Sequence, residues 1–295
     1  MPILPLRPLW RASSTTGGTD VGLNLRRMPG ALPKLVGHRG ACDLAPENTM
    51  ASFARALADG ADIVELDVRS CADGTVVVLH DARVDRTTDG TGLAAEMTLQ
   101  QLKRLDAGAW FAPSAAGERI PMLAEVLDWA CGKIGLLLEL KYAAYGAYSP
   151  DLVPRVLDLI RRHRVEDQVA FISYQPRGLT QLKALDPQYA AGPLVPAAGF
   201  LAFTVALARR FPVLTSLRQI QRVLQRPLTY TQLWGCDVVA PNFAVVTAPL
   251  IEKSHTSGLP LSCGGKAWDY PAAIAMGIDT VSSNDPGLVR RLYLS

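Results

Sequence analysis

The chain has 295 residues, 49% of them hydrophobic and 19% charged, with a formal net charge of +3. This is the composition of an ordinary globular chain with room for a substantial core, and the mild basic excess gives no reason to expect nucleic acid as a partner. Five scattered cysteines (Cys42, Cys71, Cys131, Cys236, Cys263), with no C-x-x-C pair among them, favour free thiols in a reducing, cytoplasmic setting over a disulfide framework or a zinc site. No apolar run reaches the roughly 20 residues that span a bilayer. Residues 1–30, broken by prolines and rich in Gly, Ser and Thr, read as a disordered tail, which leaves 31–295 as one folded domain.

From residue 34 short apolar strands alternate with helical stretches. KLVGH (34–38) reads as a strand, and TMASFARALADG (49–60) as a helix with Met50, Phe53 and Leu57 on one face and Gly60 as its stop. DIVELDV (62–68) is the second strand, followed by a β-branched extension, TVVVLHD (75–81). Past a polar, Gly-containing stretch at about 81–120, MLAEVLDWACG (122–132) is helical and IGLLLELK (134–141) is a buried strand. A helix from Asp151 to Arg162, the strand QVAFISY (168–174) and a helix at RGLTQLKAL (177–185) come next. YAAGPLV (189–195), CDVVAPN (236–242), LPLSCGG (259–265) and DTVSSN (279–284) complete the strands. Eight β/α units in a chain of this length predict an α/β fold of the (β/α)8 TIM-barrel type; a doubly wound open sheet is the competing architecture.

Within DIVELDV the alternation of a strand puts Ile63, Glu65 and Asp67 on one face and the apolar Val64, Leu66 and Val68 on the other. Two carboxylates so placed repel unless they are protonated, solvated or bound to a cation. Further polar groups gather at the predicted C-terminal strand ends, where barrels build their chemistry: His38 and Arg39, His80 and Asp81, Glu139 and Lys141, and Asn242. Any one of them has a bland explanation as a paired core group; the shared position is what singles them out.

Taken in order, HRG (38–40), PENT (46–49), ELDV (65–68), DGTVVVLHD (73–81), RTTDGTG (86–92) and LELK (138–141) resemble the glycerophosphodiester phosphodiesterase family. The resemblance implies a TIM barrel that hydrolyses glycerophosphodiesters to glycerol 3-phosphate and an alcohol with a divalent cation. It makes His38 and His80 the acid–base pair, Glu65, Asp67 and Glu139 the metal ligands, and 81–120 the family's insertion after the second strand. An all-carboxylate set suits Mg2+ or Ca2+ rather than zinc. Arg39 and Lys141 would surround the phosphate with positive charge, while Glu47 and Asn48 would hydrogen-bond Arg39 or the substrate, or alternatively only cap the following helix. Two further histidines, His163 and His255, lie in polar helical contexts and read as solvated.

The chain departs from the family pattern late. SCGGKAWDYP (262–271) replaces a Trp-containing motif, with Gly264, Gly265 and Lys266 in its place and Trp268 displaced, and Ser283-Asn284-Asp285-Pro286 stands for a Thr-Asp-x-Pro. These changes bear on substrate preference and leave the catalytic assignments alone. No acidic residue occurs from Pro187 to Cys236, whereas Arg209, Arg210, Arg218, Arg222 and Arg226 lie among apolar residues. That segment, at 199–233, reads either as a solvated basic face or as a peripheral contact with anionic membrane. A lysophospholipase D activity, or a catalytically silent barrel serving as a membrane-surface or interaction module, are the alternative functions.

Overall fold

The computed structural model of the chain describes residues 22–141, 149–194, 227–241, 246–263 and 270–294. Asn242, the arginines from 209 to 226, and Gly264, Gly265, Lys266 and Trp268 therefore lie outside the described residues. Eight strands form one sheet: β1 (Lys34–Gly37), β2 (Ile63–Ser70), β3 (Val76–Val78), β4 (Gly135–Leu140), β5 (Val169–Ser173), β6 (Ala191–Pro193), β7 (Ser262–Cys263) and β8 (Thr280–Ser283). Their order is β6-β5-β4-β2-β1-β8-β7, every pairing parallel except that of β3, which runs antiparallel beside β2. Helices connect the parallel strands, as parallel pairing requires. Isolated parallel bridges join Leu194 to Ala240 and Val239 to Leu261, linking β6 through CDVVAPN to the start of β7.

The strand alternation expected for β2 is present. Val64, Leu66 and Val68, with Leu136, Leu138 and Leu140 of β4, pack against the helices Met50–Ala58, Leu123–Ala130 and Leu152–His163. The opposite face carries a second core of Leu23, Leu25, Val36, Ile63, Leu137, Ala170, Ile172, Val238 and Ala240. Along β2 this face passes from apolar Ile63 to charged Glu65 and Asp67, and along β4 from Leu137 to Glu139. The apolar half forms a floor, and the polar half lies at the strand C-termini.

Leu23 and Leu25 correct the expected tail. Leu25 is 1% exposed, the Leu23 N–H donates to the Val169 carbonyl (2.9 Å), and the Arg27 N–H donates to Asp279 Oδ1 (2.7 Å). Residues 22–30 thus belong to the folded unit rather than to a disordered segment. Their polar neighbours hid two leucines that alternate as on a strand and fill the floor. The stretch after β3 is likewise ordered, with short helical turns at Ala94–Glu96, Leu99–Leu102 and Pro113–Ala115 over a small core of Val77, Leu79, Val84, Leu102 and Ile120. His163 and His255 are not simply solvated: their rings bond Asp128 (2.6 Å) and Asp279 (2.7 Å). No helix among the described residues is long and apolar enough to cross a membrane.

Candidate active site

Parallel register sets Asp67 of β2 beside Glu139 of β4. Carboxylate oxygens of Glu65, Asp67 and Glu139 all lie within 4.8 Å of one another, and all three residues are buried. Burial, reinforced by the Asp67 charge, pushes Glu65 up to about 8, and burial raises Glu139 to about 7. Burial acts on Asp67 in the same sense, but Lys141, His80 and Arg39 outweigh it and hold that carboxyl well below its usual range. Lys141 Nζ donates to Glu139 Oε1 (2.5 Å) and sits 2.9 Å from Asp67 Oδ1. That Asp67 oxygen is buried with no aligned hydrogen bond. Two carboxyls that favour their protons beside a buried anion are a hard-oxygen donor set short of positive charge, and such a set fits a divalent cation.

The turn after β1 reaches these carboxylates through its backbone. Arg39 and Asn48 adopt left-handed conformations (φ 50° and 58°), which for side chains other than glycine cost on the order of 1 kcal/mol or more each. Gly40 between them has φ 86°, and a Cβ there would come within 2.0 Å of Ser52 Oγ, so no larger residue fits. In return the Arg39 N–H donates to Glu65 Oε2 (2.8 Å), and the Asn48 N–H donates to the Arg39 carbonyl (3.1 Å). Asn48 Nδ2 donates to Asp67 Oδ2 (2.7 Å) while Asn48 Oδ1 accepts from the Asp67 N–H (3.2 Å).

Of the readings open for PENT, the bond between Glu47 and Arg39 is present. Both ends of the Asn48 amide engage Asp67, and Glu47 accepts from Arg39 Nη1 (2.9 Å) and from both terminal nitrogens of Arg86 (2.7 Å each). Glu47 thus holds the Arg39 and Arg86 guanidinium groups, and Asn48 holds Asp67. Capping falls to Thr49, whose side chain accepts from the Ser52 N–H.

The two histidines are held differently. His38 Nδ1 meets Asn284 Oδ1 at 2.8 Å, and Asn284 Nδ2 donates to Asp43 Oδ1 (3.0 Å). The amide nitrogen being turned to Asp43, the Asn284 oxygen accepts, so His38 carries its proton on Nδ1 and leaves Nε2 with a lone pair. Burial and the Arg39 charge lower the pKa of His38. His80 Nδ1 meets Asp81 Oδ1 at 2.6 Å, an acceptor-only carboxylate that fixes the same tautomer. Burial opposes ionisation of Asp81, but Arg86 and His80 bring it down to about 2. Burial lowers His80 as well, with Lys141 and Arg39 adding to the effect and Asp67 and Asp81 resisting it. Arg39 and Asp67 act on both rings, so the histidines share one site with the carboxylates.

Among the described residues, those given a role by the family resemblance converge, and Asp81, Arg86 and Asn284 join them; Asn242 lies outside the described residues. Asp81 was visible as a polar strand end; Arg86 opens the RTTDGTG stretch, where its role had no local signal. Asn284 lies in the Ser-Asn-Asp-Pro departure and bonds a site histidine, so that departure does touch the catalytic assignments. A contact spanning 246 residues of sequence leaves no periodic trace.

Known proteins share this arrangement's fold and sequence. A glycerophosphodiester phosphodiesterase of Caldanaerobacter subterraneus is 38% identical over 158 residues, 54% of this chain and 65% of that protein. One of Bacillus subtilis is 34% identical over 170 residues, 52% of this chain and 56% of its own. The matches thus span less than two thirds of either relative. Among solved structures, an Oleispira antarctica phosphodiesterase in complex with the product sn-glycerol-3-phosphate superposes with TM-score 0.72 at 27% identity, covering 90% of this chain and 98% of that one. A glycerophosphodiester phosphodiesterase from Agrobacterium tumefaciens gives 0.71 at 26% identity, covering 88% of this chain and 100% of the other. The family model for glycerophosphoryl diester phosphodiesterases matches residues 38–288, beginning at the first site histidine, and the chain belongs to that family.

Proposed function

We propose that the chain hydrolyses glycerophosphodiesters to glycerol 3-phosphate and an alcohol, with one divalent cation, Mg2+ or Ca2+, held by Glu65, Asp67 and Glu139. The observation that carries this reading is the buried three-carboxylate cluster sharing its site with two histidines of fixed tautomer. When bound, the cation neutralises the carboxylates and polarises a phosphoryl oxygen. Arg39 and Lys141 add fixed positive charge beside the carboxylates, Arg39 Nε lying 3.4 Å from Asp67 Oδ2 and Lys141 Nζ 2.9 Å from Asp67 Oδ1, and this charge would also serve the phosphate.

The histidines divide the proton work by what stands behind each. His38, neutral and backed by an amide, presents Nε2 to take the proton of the nucleophile, a water or the substrate's own glycerol hydroxyl; the second route gives a cyclic phosphate that a water then opens to glycerol 3-phosphate. Asp81 stabilises positive charge on His80, so His80 enters the reaction as the imidazolium, its Nδ1–H on Asp81, and delivers the proton on Nε2 to the leaving alkoxide. The P–O bond to the alcohol breaks as the bond to the nucleophile forms, and the proton taken by His38 balances the one given by His80. The same reading closes the sheet as a (β/α)8 barrel, with the bridges at Leu194–Ala240 and Val239–Leu261 supporting the remaining strand.

The test is turnover of glycerophosphocholine with Mg2+ or Ca2+, followed by product identity. Glycerol 3-phosphate and choline support the proposal. Hydrolysis of lysophosphatidylcholine alone would move it to a lysophospholipase D, and no turnover of either would make the barrel silent.

A further inference from the structure

Arg86 is the side chain on which both polar networks of the site meet. Its Nε donates to Asp81 Oδ2 (2.6 Å), Nη1 to Glu47 Oε2 (2.7 Å) and Nη2 to Glu47 Oε1 (2.7 Å). Beyond Asp81 stands the His80 ring, and beyond Glu47 the Arg39 guanidinium. The Arg86 side chain is 44% exposed, a setting in which ion pairs ordinarily contribute little. Here all three guanidinium nitrogens are on carboxylate oxygens, and Glu47 is only 10% exposed. A bidentate pair with a third bond at right orientation is the geometry that orders side chains, and a lysine cannot reproduce it.

The backbone carrying Arg86 is itself held. Val84 is fully buried and its N–H donates to the Gly92 carbonyl (3.0 Å). Thr88 Oγ1 donates to the Val84 carbonyl (2.8 Å) and accepts from the Gly90 N–H (3.1 Å). Asp85 Oδ2 accepts from the Gly92 N–H (3.1 Å). Arg86 therefore projects from a turn closed on both sides, not from a free strand of surface.

We propose that Arg86 is a positioning residue for hydrolysis: one guanidinium orients Asp81 behind His80 and Glu47 behind Arg39, so the proton donor and the phosphate-binding charge are set by the same group. The inference rests on the phosphodiesterase reading. The effect of Arg86 passes through Asp81 and Glu47, on whose carboxylates all three of its guanidinium nitrogens lie. Displacing a catalytic group slightly is costly to turnover and cheap to folding, which is what separates this role from a structural one.

The experiment compares the wild type with Arg86→Ala, Arg86→Lys and, as a control, Arg83→Ala, whose guanidinium reaches Asp85 instead. Each is assayed on glycerophosphocholine with Mg2+, and the His80 Nδ1 proton is followed by NMR in histidine-labelled protein. Arg86→Ala should lower kcat about ten- to a hundredfold, change KM less, and broaden or erase the His80 signal. Arg86→Lys should recover only part of the rate, and millimolar guanidinium should restore part of the alanine variant's. Arg83→Ala should change neither readout. A kcat within twofold of wild type in Arg86→Ala, or a loss of kcat with the His80 signal intact, overturns the proposal. Should the alanine variant not fold, Arg86→Lys is judged by the same pair of readouts. Inactivity of the wild type would instead overturn the phosphodiesterase reading, while the NMR comparison still decides whether Arg86 orders His80.

Discussion

Burial pushes Glu65 and Glu139 up while the surrounding cations hold Asp67 down, and this makes the site responsive to pH and to cations together. Their folded pKa values, about 8 and about 7, stand above the ordinary 4.5. In metal-free protein the stability they contribute is therefore complete below about pH 4.5 and disappears as pH rises through 7 to 8. A cation must displace those protons, so it binds more tightly as pH rises. The lowered pKa values of His38 and His80 act in the opposite direction, their stability being lost as pH falls below about 6.5, and a cation bound beside them would lower them further, which also favours its binding as pH rises. The rise in melting temperature on adding Mg2+ to chelated protein should therefore grow from pH 5 to pH 8. A rise that is constant over that range would contradict the assignment of these carboxylates to a cation. For the histidines, His38→Ala or His80→Ala should each lower kcat by about 10²–10⁴, with the double change costing far less than the product. Near-normal steady-state kcat in either single variant would remove that ring from the mechanism.

At the level of elements, the alternation in β2 and β4 was enough to place the carboxylates on one face and the packing residues on the other, because a period of two admits no other arrangement in a buried strand. The apolar runs of the helices after β1 and β3 were equally legible. What the local pattern concealed were elements whose meaning comes from distant partners. Residues 22–27 carry only two leucines in a polar setting, and their burial depends on Val36, Ile63, Leu137 and Ala170 being there to receive them. Arg86 bonds Glu47, 39 residues before it, and Asn284 bonds His38 across the paired strands β1 and β8. The contribution of the N-terminal element is measurable: Leu25→Ala should destabilise the protein by about 2–5 kcal/mol in urea unfolding, with kcat unchanged because the floor lies away from the strand C-termini. A loss below about 0.5 kcal/mol would return 22–30 to the tail.

For the whole molecule, one division of labour follows from the sheet: an apolar floor at one end of the strands, and at the other a cluster of carboxylates, histidines and cations contributed by β1, β2, β4, β8 and the segment after β3. The sequence displayed nearly all of those side chains because each ends a strand or a short motif, and the resemblance to phosphodiesterases ordered them. It did not display how they brace one another, since Asn48 on Asp67 and Glu47 on Arg86 are matters of three-dimensional placement. The central claim is that this cluster hydrolyses glycerophosphodiesters with a divalent cation. It is tested most directly by following glycerophosphocholine by phosphorus NMR with purified protein, first in Mg2+ or Ca2+ and then in excess chelator. Conversion to glycerol 3-phosphate that stops on chelation and resumes when the cation is restored is the expected result. Undiminished conversion in chelator, or none under any of these conditions, would contradict the account.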